Sequence, residues 1–273
     1  MAQKSIFITG AASGIGRATA TLFHKKGWFV GCYDVDAEAL QTLEKALGDL
    51  RDNSCVTSYL DVRDKKEFDA AMASFGERTG GRLDIMFNNA GVAVGGSLDK
   101  VPFDKILDMV NINLVGVLIG IYAAIPLLKE TENSLCFSTS SGSATFGSPG
   151  MATYAATKHA VKGLTEALSV ELARYGSRAS DVLPGIIDTP LWQGDLYTEA
   201  EVLSTVPNIP KMNASRTDAS RTIAPVEVAE CVWNAYHGDK LHWYVPPELV
   251  ARDKAKVESP EAMRDELIAQ RSN

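Results

Sequence analysis

Thr9-Gly10-Ala11-Ala12-Ser13-Gly14-Ile15-Gly16 is the stretch on which the fold turns. Before it, Lys4 to Thr9 is a short β-branched and aromatic run, the composition of a buried strand. After it, Gly14 to Lys26 carries apolar residues at helical spacing and ends at Gly27, in the position of a C′ glycine. Three glycines between a strand and a helix let the chain turn tightly. They also let backbone N–H groups approach a pyrophosphate, which the positive end of the helix favours. The spacing is GxxxGxG rather than GxGxxG. Alone, such a turn is equally compatible with a purely structural role, so its reading depends on what surrounds it.

What surrounds it is a regular alternation. Trp28 to Tyr33 reads as a second strand, and Asp36 to Leu50 as a helix with Leu40, Leu43 and Leu47 on one face. Cys55 to Leu60, Leu83 to Phe87, Ser134 to Thr139, Ala179 to Leu183 and His242 to Val245 read as further strands. Between them the spacing predicts helices at Lys65 to Arg78, Pro102 to Leu128 (a long one), Met151 to Tyr175 and Pro225 to Tyr236. Strands alternating with helices predict an α/β fold, a parallel, doubly wound sheet with helices on both faces. No repeat or linker marks a second domain, so residues 1–273 are expected to form one. Residues 188–222 mix Pro, Asn, Ser and Thr and read as a long loop. Residues 246–273 are charged and read as a helical extension.

The bulk numbers narrow the partners. The chain has 273 residues, 45% hydrophobic and 22% charged, with formal net charge −7. That composition suits a globular protein with a sizeable core, and its acidity argues against nucleic acid or an anionic membrane as the main partner. The apolar stretch around Leu114 to Leu128 reads as too short and interrupted for a membrane span. Cys32, Cys55, Cys136 and Cys231 form no CxxC pair, and no histidine has zinc-site spacing, so no metal is expected. Reduced cysteines in apolar runs, and a start that passes directly into a strand, point to the cytoplasm.

In a doubly wound sheet the carboxyl ends of the strands face the ligand crevice. Asp34 ends the second strand, eighteen positions after Gly16. A carboxylate there accepts from a ribose 2′-hydroxyl and repels a 2′-phosphate, and neither Val35 nor Ser13 offers a cation, so NAD is expected rather than NADP. Asp34 could also serve as an N-cap for the next helix, a role open to Asp36. Asp61 follows the third strand, and Asn88-Asn89-Ala90-Gly91 the fourth.

Tyr154 and Lys158 lie four apart on a predicted helix and share a face. A nearby ammonium, like the positive nicotinamide of an oxidised cofactor, favours the phenolate and lowers a tyrosine pKa. A phenol so tuned takes a proton from an alcohol or gives one to an alkoxide. In isolation YxxxK is common by chance. Its weight comes from Ser141 after the fifth strand, Asn113 in the preceding helix, and Pro184-Gly185-Ile186-Ile187-Asp188-Thr189 after the sixth.

This ordered set, over roughly residues 4 to 245, resembles the short-chain dehydrogenase/reductase family, in its shorter branch. The resemblance implies a Rossmann-type domain with a seven-stranded parallel sheet and hydride transfer between NAD(H) and a secondary alcohol or ketone. It implies that Tyr154 is the acid/base and that Lys158 binds the nicotinamide ribose and lowers the tyrosine pKa. Ser141, thirteen positions before Tyr154, resembles the hydroxyl that polarises the substrate oxygen, and Asn113 the asparagine that orders a relay water. By the same resemblance Gly10, Ser13, Gly14, Ile15 and Gly16 line the phosphate turn. Asp61 and Val62 contact adenine, Asn89, Ala90 and Gly91 form a cofactor-side turn, and Pro184, Gly185, Ile187 and Thr189 lie along the carboxamide. With this set intact, a relative that only binds nucleotide is disfavoured; an epimerase or dehydratase remains a rival outcome. The substrate pocket is expected from Val94, Ser143, Phe146, Met151, Leu191 and Trp192, with Val92, Ala93, Leu196 and Tyr197 nearby. These are mostly apolar, which suits a neutral, hydrophobic substrate. A homotetramer, or a homodimer, is also implied. His24, His159, His237 and His242 are given no ligand role, and Trp28 and Trp233 read as packing residues.

Overall fold

The computed structural model describes residues 3–48, 54–193, 196–197 and 221–271. Its main sheet has seven strands: β1 (Ser5–Thr9), β2 (Phe29–Asp34), β3 (Cys55–Tyr59), β4 (Ile85–Asn88), β5 (Leu135–Thr139), β6 (Arg178–Pro184) and β7 (His242–Val245). The order across it is β7-β6-β5-β4-β1-β2-β3, with every pairing parallel. The chain runs outward from β1 to β3, then returns to β4 and runs the other way. The crevice at the β1/β4 reversal is therefore where a Rossmann-type fold takes its ligand.

The strand sequences show why both faces are covered. Every residue of β1 is buried. Ile6 and Ile8 enter one core with Val30, Cys32, Ile85 and Phe87, while Phe7 between them enters the other with Phe29, Tyr33 and Met86. That split follows from the period of two along a strand. The first core is roofed by α1 (Gly14–Lys25), α2 (Ala37–Gly48) and α7 (Pro225–His237), through residues such as Phe23, Leu43 and Val232. The second is roofed by α3 (Lys65–Thr79), α5 (Gly116–Glu130) and α6 (Ala152–Ala173), through Phe75, Ile121 and Leu168. Asp64 caps α3 by accepting from the Lys66 and Glu67 N–H groups, and Gly80 ends it at φ 63°.

Two expectations need correction. The long helix after Pro102 is not one regular helix. It is α4 (Phe103–Val110), a π-turn at Asn111–Val115, and then α5. The break coincides with a tertiary contact. Asn113 is buried, and its carboxamide turns inward to hold the Val92 backbone, accepting from N–H and donating to C=O at 2.9 Å each. A wide turn in the ladder accommodates that inward aim. Nor is the run too short to span a bilayer: Phe103–Glu130 has 28 residues and is long and apolar enough to do so. Its outer side carries Phe103 at 70% and Tyr122 at 68% exposure, with Leu107 and Leu118 between them.

The extension after β7 forms α8 (Leu249–Glu258) and α9 (Pro260–Arg271), as its charge pattern predicts. Most of the expected loop at 188–222 lies outside the described residues. Its described parts are a 3-10 turn at Pro190–Gln193 and two-residue strands at Leu196–Tyr197 and Thr222–Ile223.

At the amino ends of the strands, away from the crevice, buried Asp84 ties several elements together. It accepts from Arg82 Nε at 2.7 Å and Nη2 at 2.5 Å, from Ser5 N–H at 3.0 Å, and from the Tyr236 hydroxyl at 3.0 Å. Removing the carboxylate leaves a partly exposed guanidinium and two buried donors without their acceptor. Asp84→Ala is expected to lower unfolding free energy by about 3 kcal/mol, read from urea denaturation, with cofactor affinity little changed.

Candidate active site

A cleft of about 330 Å³ opens at the carboxyl ends of the strands, over the β1/β4 reversal. Gly10, Ser13, Gly14 and Ile15 line its floor at the start of α1. Gly10 adopts φ +66°, and a Cβ there would lie 2.8 Å from Ala90 Cα, so glycine is required twice over. Gly16 does not line the cleft. A Cβ on it would fall 2.0 Å from the Gly10 carbonyl oxygen, so its role is to let α1 pack against the turn.

Asp34 lines the cleft at the end of β2. One carboxylate oxygen accepts from Ala12 N–H at 2.9 Å, the other from Asp36 N–H at 3.1 Å. Asp36 takes the capping role instead, accepting from Ala39 N–H at 2.9 Å. Asp61 and Val62 also line this end, as expected, and so does Arg63, a cation that the sequence reading overlooked. Its guanidinium is held by Asp61 on two nitrogens and by Asp108 of α4 at 3.2 Å. The Arg63 hydrogen bonds hold the Asp61 carboxyl below the usual carboxylate range. Arg63 lies four positions past the third strand and two after Asp61, and that position was the available signal.

Asn89, Ala90 and Gly91 form the opposite wall. Asn89 donates its amide to the Thr9 and Gly10 carbonyls at 3.1 and 3.3 Å, and accepts from the Thr139 hydroxyl at 3.1 Å. A Cβ on Gly91 would meet Asn113 Oδ1 at 3.3 Å and Lys158 Nζ at 3.5 Å. The three elements therefore close on one point.

Tyr154 and Lys158 sit one turn apart on α6, both buried and both on the cleft wall. Lys158 donates to the Thr139 carbonyl at 2.9 Å, and its Nζ lies 5.6 Å from the Tyr154 ring centre. Burial pushes the Lys158 ammonium down to about 8. Burial likewise pushes the Tyr154 phenol up to about 12, and the hydrogen bond from Ser141 works against it. The lowering expected from Lys158 does not appear: burial dominates the Tyr154 phenol, and the bond that opposes it comes from Ser141. Of the adjacent serines, Ser140 donates to the Lys158 carbonyl at 2.9 Å, whereas Ser141 is the one bonded to Tyr154. Asn113 Nδ2 reaches the Thr157 hydroxyl at 3.4 Å, and that hydroxyl donates to the Tyr154 carbonyl at 2.8 Å. The Asn113 side chain is thereby committed to protein partners, and it does not line the cleft.

Beside the Tyr154 ring is a small apolar cluster of Ala93, Met109, Val92, Val94, Met151 and Leu191. Val94, Met151 and Leu191 were expected there. Met109 was not, although it lies one helical turn before Asn113. Phe146 and Ser143 are half-buried and off the cleft wall, and Ser143 N–H donates to Ser141 Oγ at 3.0 Å. Thr189 and Leu191 line the cleft, while Pro184, Gly185 and Ile187 do not. Gly185 N–H pairs with the Val245 carbonyl at 2.7 Å, and Ile187 is packed in the first core. The side chains of Trp192 and Leu196 lie outside the described residues. Among the described residues no cluster of His, Cys, Asp and Glu could hold a metal ion.

Residues 4–199 match the family model described as short chain dehydrogenase. Levodione reductase of Leifsonia aquatica is 35% identical over 199 residues, 71% of this chain and 73% of that protein. L-2,3-butanediol dehydrogenase of Corynebacterium glutamicum is 33% identical over 193 residues, 70% and 74% of the two chains. A crystal structure of levodione reductase superposes with TM-score 0.76 at 27% identity, covering 89% of this chain and 95% of that one. A short chain dehydrogenase/reductase from Burkholderia phymatum in complex with NAD superposes with TM-score 0.84 at 24% identity over 96% and 95%, a likeness of fold. With the parallel sheet, the glycine turn and the Tyr154/Lys158 pair all in place, the chain belongs to the short chain dehydrogenase family and is an oxidoreductase.

Proposed function

We propose that this oxidoreductase transfers a hydride between NAD(H) and a neutral, rather hydrophobic secondary alcohol or its ketone, with Tyr154 as the acid/base. The observation that carries this reading is the buried Tyr154 hydroxyl bonded to Ser141, on a cleft wall shared with Lys158 and beside an apolar cluster. Bound NAD supplies the hydride acceptor, or NADH the donor. Ser141 holds the substrate oxygen, and Tyr154 takes its proton or returns it. Lys158, fixed to the Thr139 carbonyl, faces the nicotinamide ribose and keeps a positive charge near the phenol. Asn113 secures the Val92 turn and α6 through Thr157. The apolar cluster excludes water and accepts an uncharged substrate. The names of the two relatives, a dione reductase and a diol dehydrogenase, agree with this class.

For the cofactor, the glycine turn suits the pyrophosphate, Asp61 and Val62 the adenine, and Thr189 the carboxamide. Pro184, Gly185 and Ile187 act from behind, through their backbone. Asp34 favours NAD, and Asp61 with Asp108 neutralises Arg63, the one cation among the residues lining the adenine end. Asp34→Ala is expected to raise the ratio of NADP to NAD turnover roughly ten- to hundredfold, measured as kcat/KM with each cofactor. An unchanged ratio removes Asp34 from specificity.

Residues 1–273 are proposed to act as one domain, with the outer apolar side of α4 and α5 covered by another copy in a homotetramer or homodimer. Its four free cysteines suit the cytoplasm. The deciding experiment is NADH formation across a panel of secondary alcohols. Turnover with NAD supports the reading. Tight NAD binding without turnover of any alcohol favours a binding-only role or another reaction class.

A further inference from the structure

The helix after the sheet has contacts that go beyond covering its edge. Leu249, the first residue of α8, is buried, and its two methyl carbons lie 3.3 and 3.5 Å from where a Cβ on Gly142 would sit. The Pro184 carbonyl oxygen lies 3.3 Å from the same point. Gly142 adjoins Ser141 and opens the 3-10 turn Gly142–Ala144, in which Ser141 Oγ accepts from Ser143 N–H. Leu249 is thus seated directly behind the turn that aims Ser141 at Tyr154. Further along, α8 is tied to α6, which carries Tyr154 and Lys158. Asp253 Oδ2 accepts from Lys162 Nζ and from the Tyr244 hydroxyl, each at 2.6 Å. Burial alone would raise the Asp253 carboxyl, but these bonds outweigh it and hold it below its ordinary value. Lys256 Nζ donates to His159 Nε2 at 2.9 Å, while His159 Nδ1 meets the Ala155 carbonyl at 2.8 Å.

We infer that α8 is a clamp that sets the geometry between Ser141 and Tyr154, with Leu249 as a positioning residue that never touches substrate. The two contacts act on the two elements whose separation matters: the Ser141 turn from behind, and α6 along its outer side. The clamp lies beyond residues 4–199, the part matched by the family model, in the C-terminal region of the chain. A small displacement of aligned groups is enough to slow a reaction strongly. The inference rests on the proposed roles of Ser141 and Tyr154.

The test compares the full chain with Leu249→Ala, Leu249→Met and Asp253→Asn. In Leu249→Ala, the amides of residues 142–144 are expected to exchange hydrogen about tenfold faster. Ionisation of Tyr154, read at 295 nm against Tyr154→Phe, is expected to move upward by about half a pH unit as the Ser141 bond loosens. kcat is expected to fall about tenfold while KM for NAD stays within about twofold, and Leu249→Met is expected to restore all three readings. Asp253→Asn, which opens no cavity, is expected to lower kcat about threefold and decides the matter if Leu249→Ala does not fold. Unchanged exchange and Tyr154 ionisation, or an unchanged kcat despite faster exchange, overturn the clamp and leave α8 as an edge cover. If the parent chain turns over no alcohol, the dehydrogenase reading fails by itself, and the exchange and ionisation readings still decide the clamp.

Discussion

Tyr154→Phe is expected to lower alcohol oxidation by at least about a thousandfold while leaving NAD affinity within about twofold. The change removes one oxygen and keeps the ring, so the apolar cluster of Met109, Met151 and Leu191 beside it stays filled. Removing the oxygen removes the proposed proton acceptor from the cleft wall, where Lys158 is bonded to the Thr139 carbonyl. The pH profile carries a second signature. Burial pushes the phenol up to about 12, against an ordinary 10. The charges of Lys158 and of the oxidised nicotinamide act in the opposite sense, so oxidation should rise with pH as the phenolate forms and ketone reduction should fall. Steady-state rates from pH 6 to 10, with cofactor affinity by fluorescence, check both parts. A variant retaining more than about a tenth of the parent rate would remove Tyr154 from the chemistry.

Lys158→Met is expected to cut kcat roughly a hundredfold or more and, at the same time, to stabilise the protein near neutral pH. Burial holds the ammonium at about 8, below its ordinary 10.5. Between those values the unfolded chain binds a proton that the folded chain has released, so folding stability rises with pH across that window. Below about 8 both states carry the charge, and the folded state bears the full cost of desolvating it, at most about 3 kcal/mol. Losing the bond to the Thr139 carbonyl takes back about 1 kcal/mol. The variant should therefore melt several degrees higher at pH 7, with the advantage fading as pH passes 8 toward 10.5. Thermal unfolding at pH 7 and pH 10 reads the difference. A variant less stable than the parent at pH 7 would show that the Thr139 contact outweighs the desolvation.

The sheet was readable because its evidence is local. Ile6, Phe7 and Ile8 in succession leave no polar side for solvent, so β1 has to lie between two layers, and the glycines after it leave room for only a tight turn into α1. The Tyr154/Lys158 pair was readable for the same reason, since four residues on a helix place two side chains on one face. The corrections fall where distant residues meet. Nothing local to Asn113 announces that its carboxamide will hold Val92, twenty-one positions away, so the π-turn that this contact accompanies could not be foreseen. Arg63 is held in the cleft between Asp61 and Asp108, and its partner Asp108 stands forty-five positions away on α4, so the full setting of Arg63 was not local.

By itself, the sequence determined the parallel alternation, the glycine turn proposed to receive a pyrophosphate, and the residue types of the proposed reacting group, because each depends on periodicity or on neighbours within a few positions. Only the tertiary structure decided how these groups are tuned. Burial moves Tyr154 up and Lys158 down, the serine pair divides its work between Lys158 and Tyr154, and α8 comes to rest behind Gly142. Desolvation and contact are properties of what surrounds a group in space, and residues more than a hundred positions apart supply them only once the chain has closed on itself.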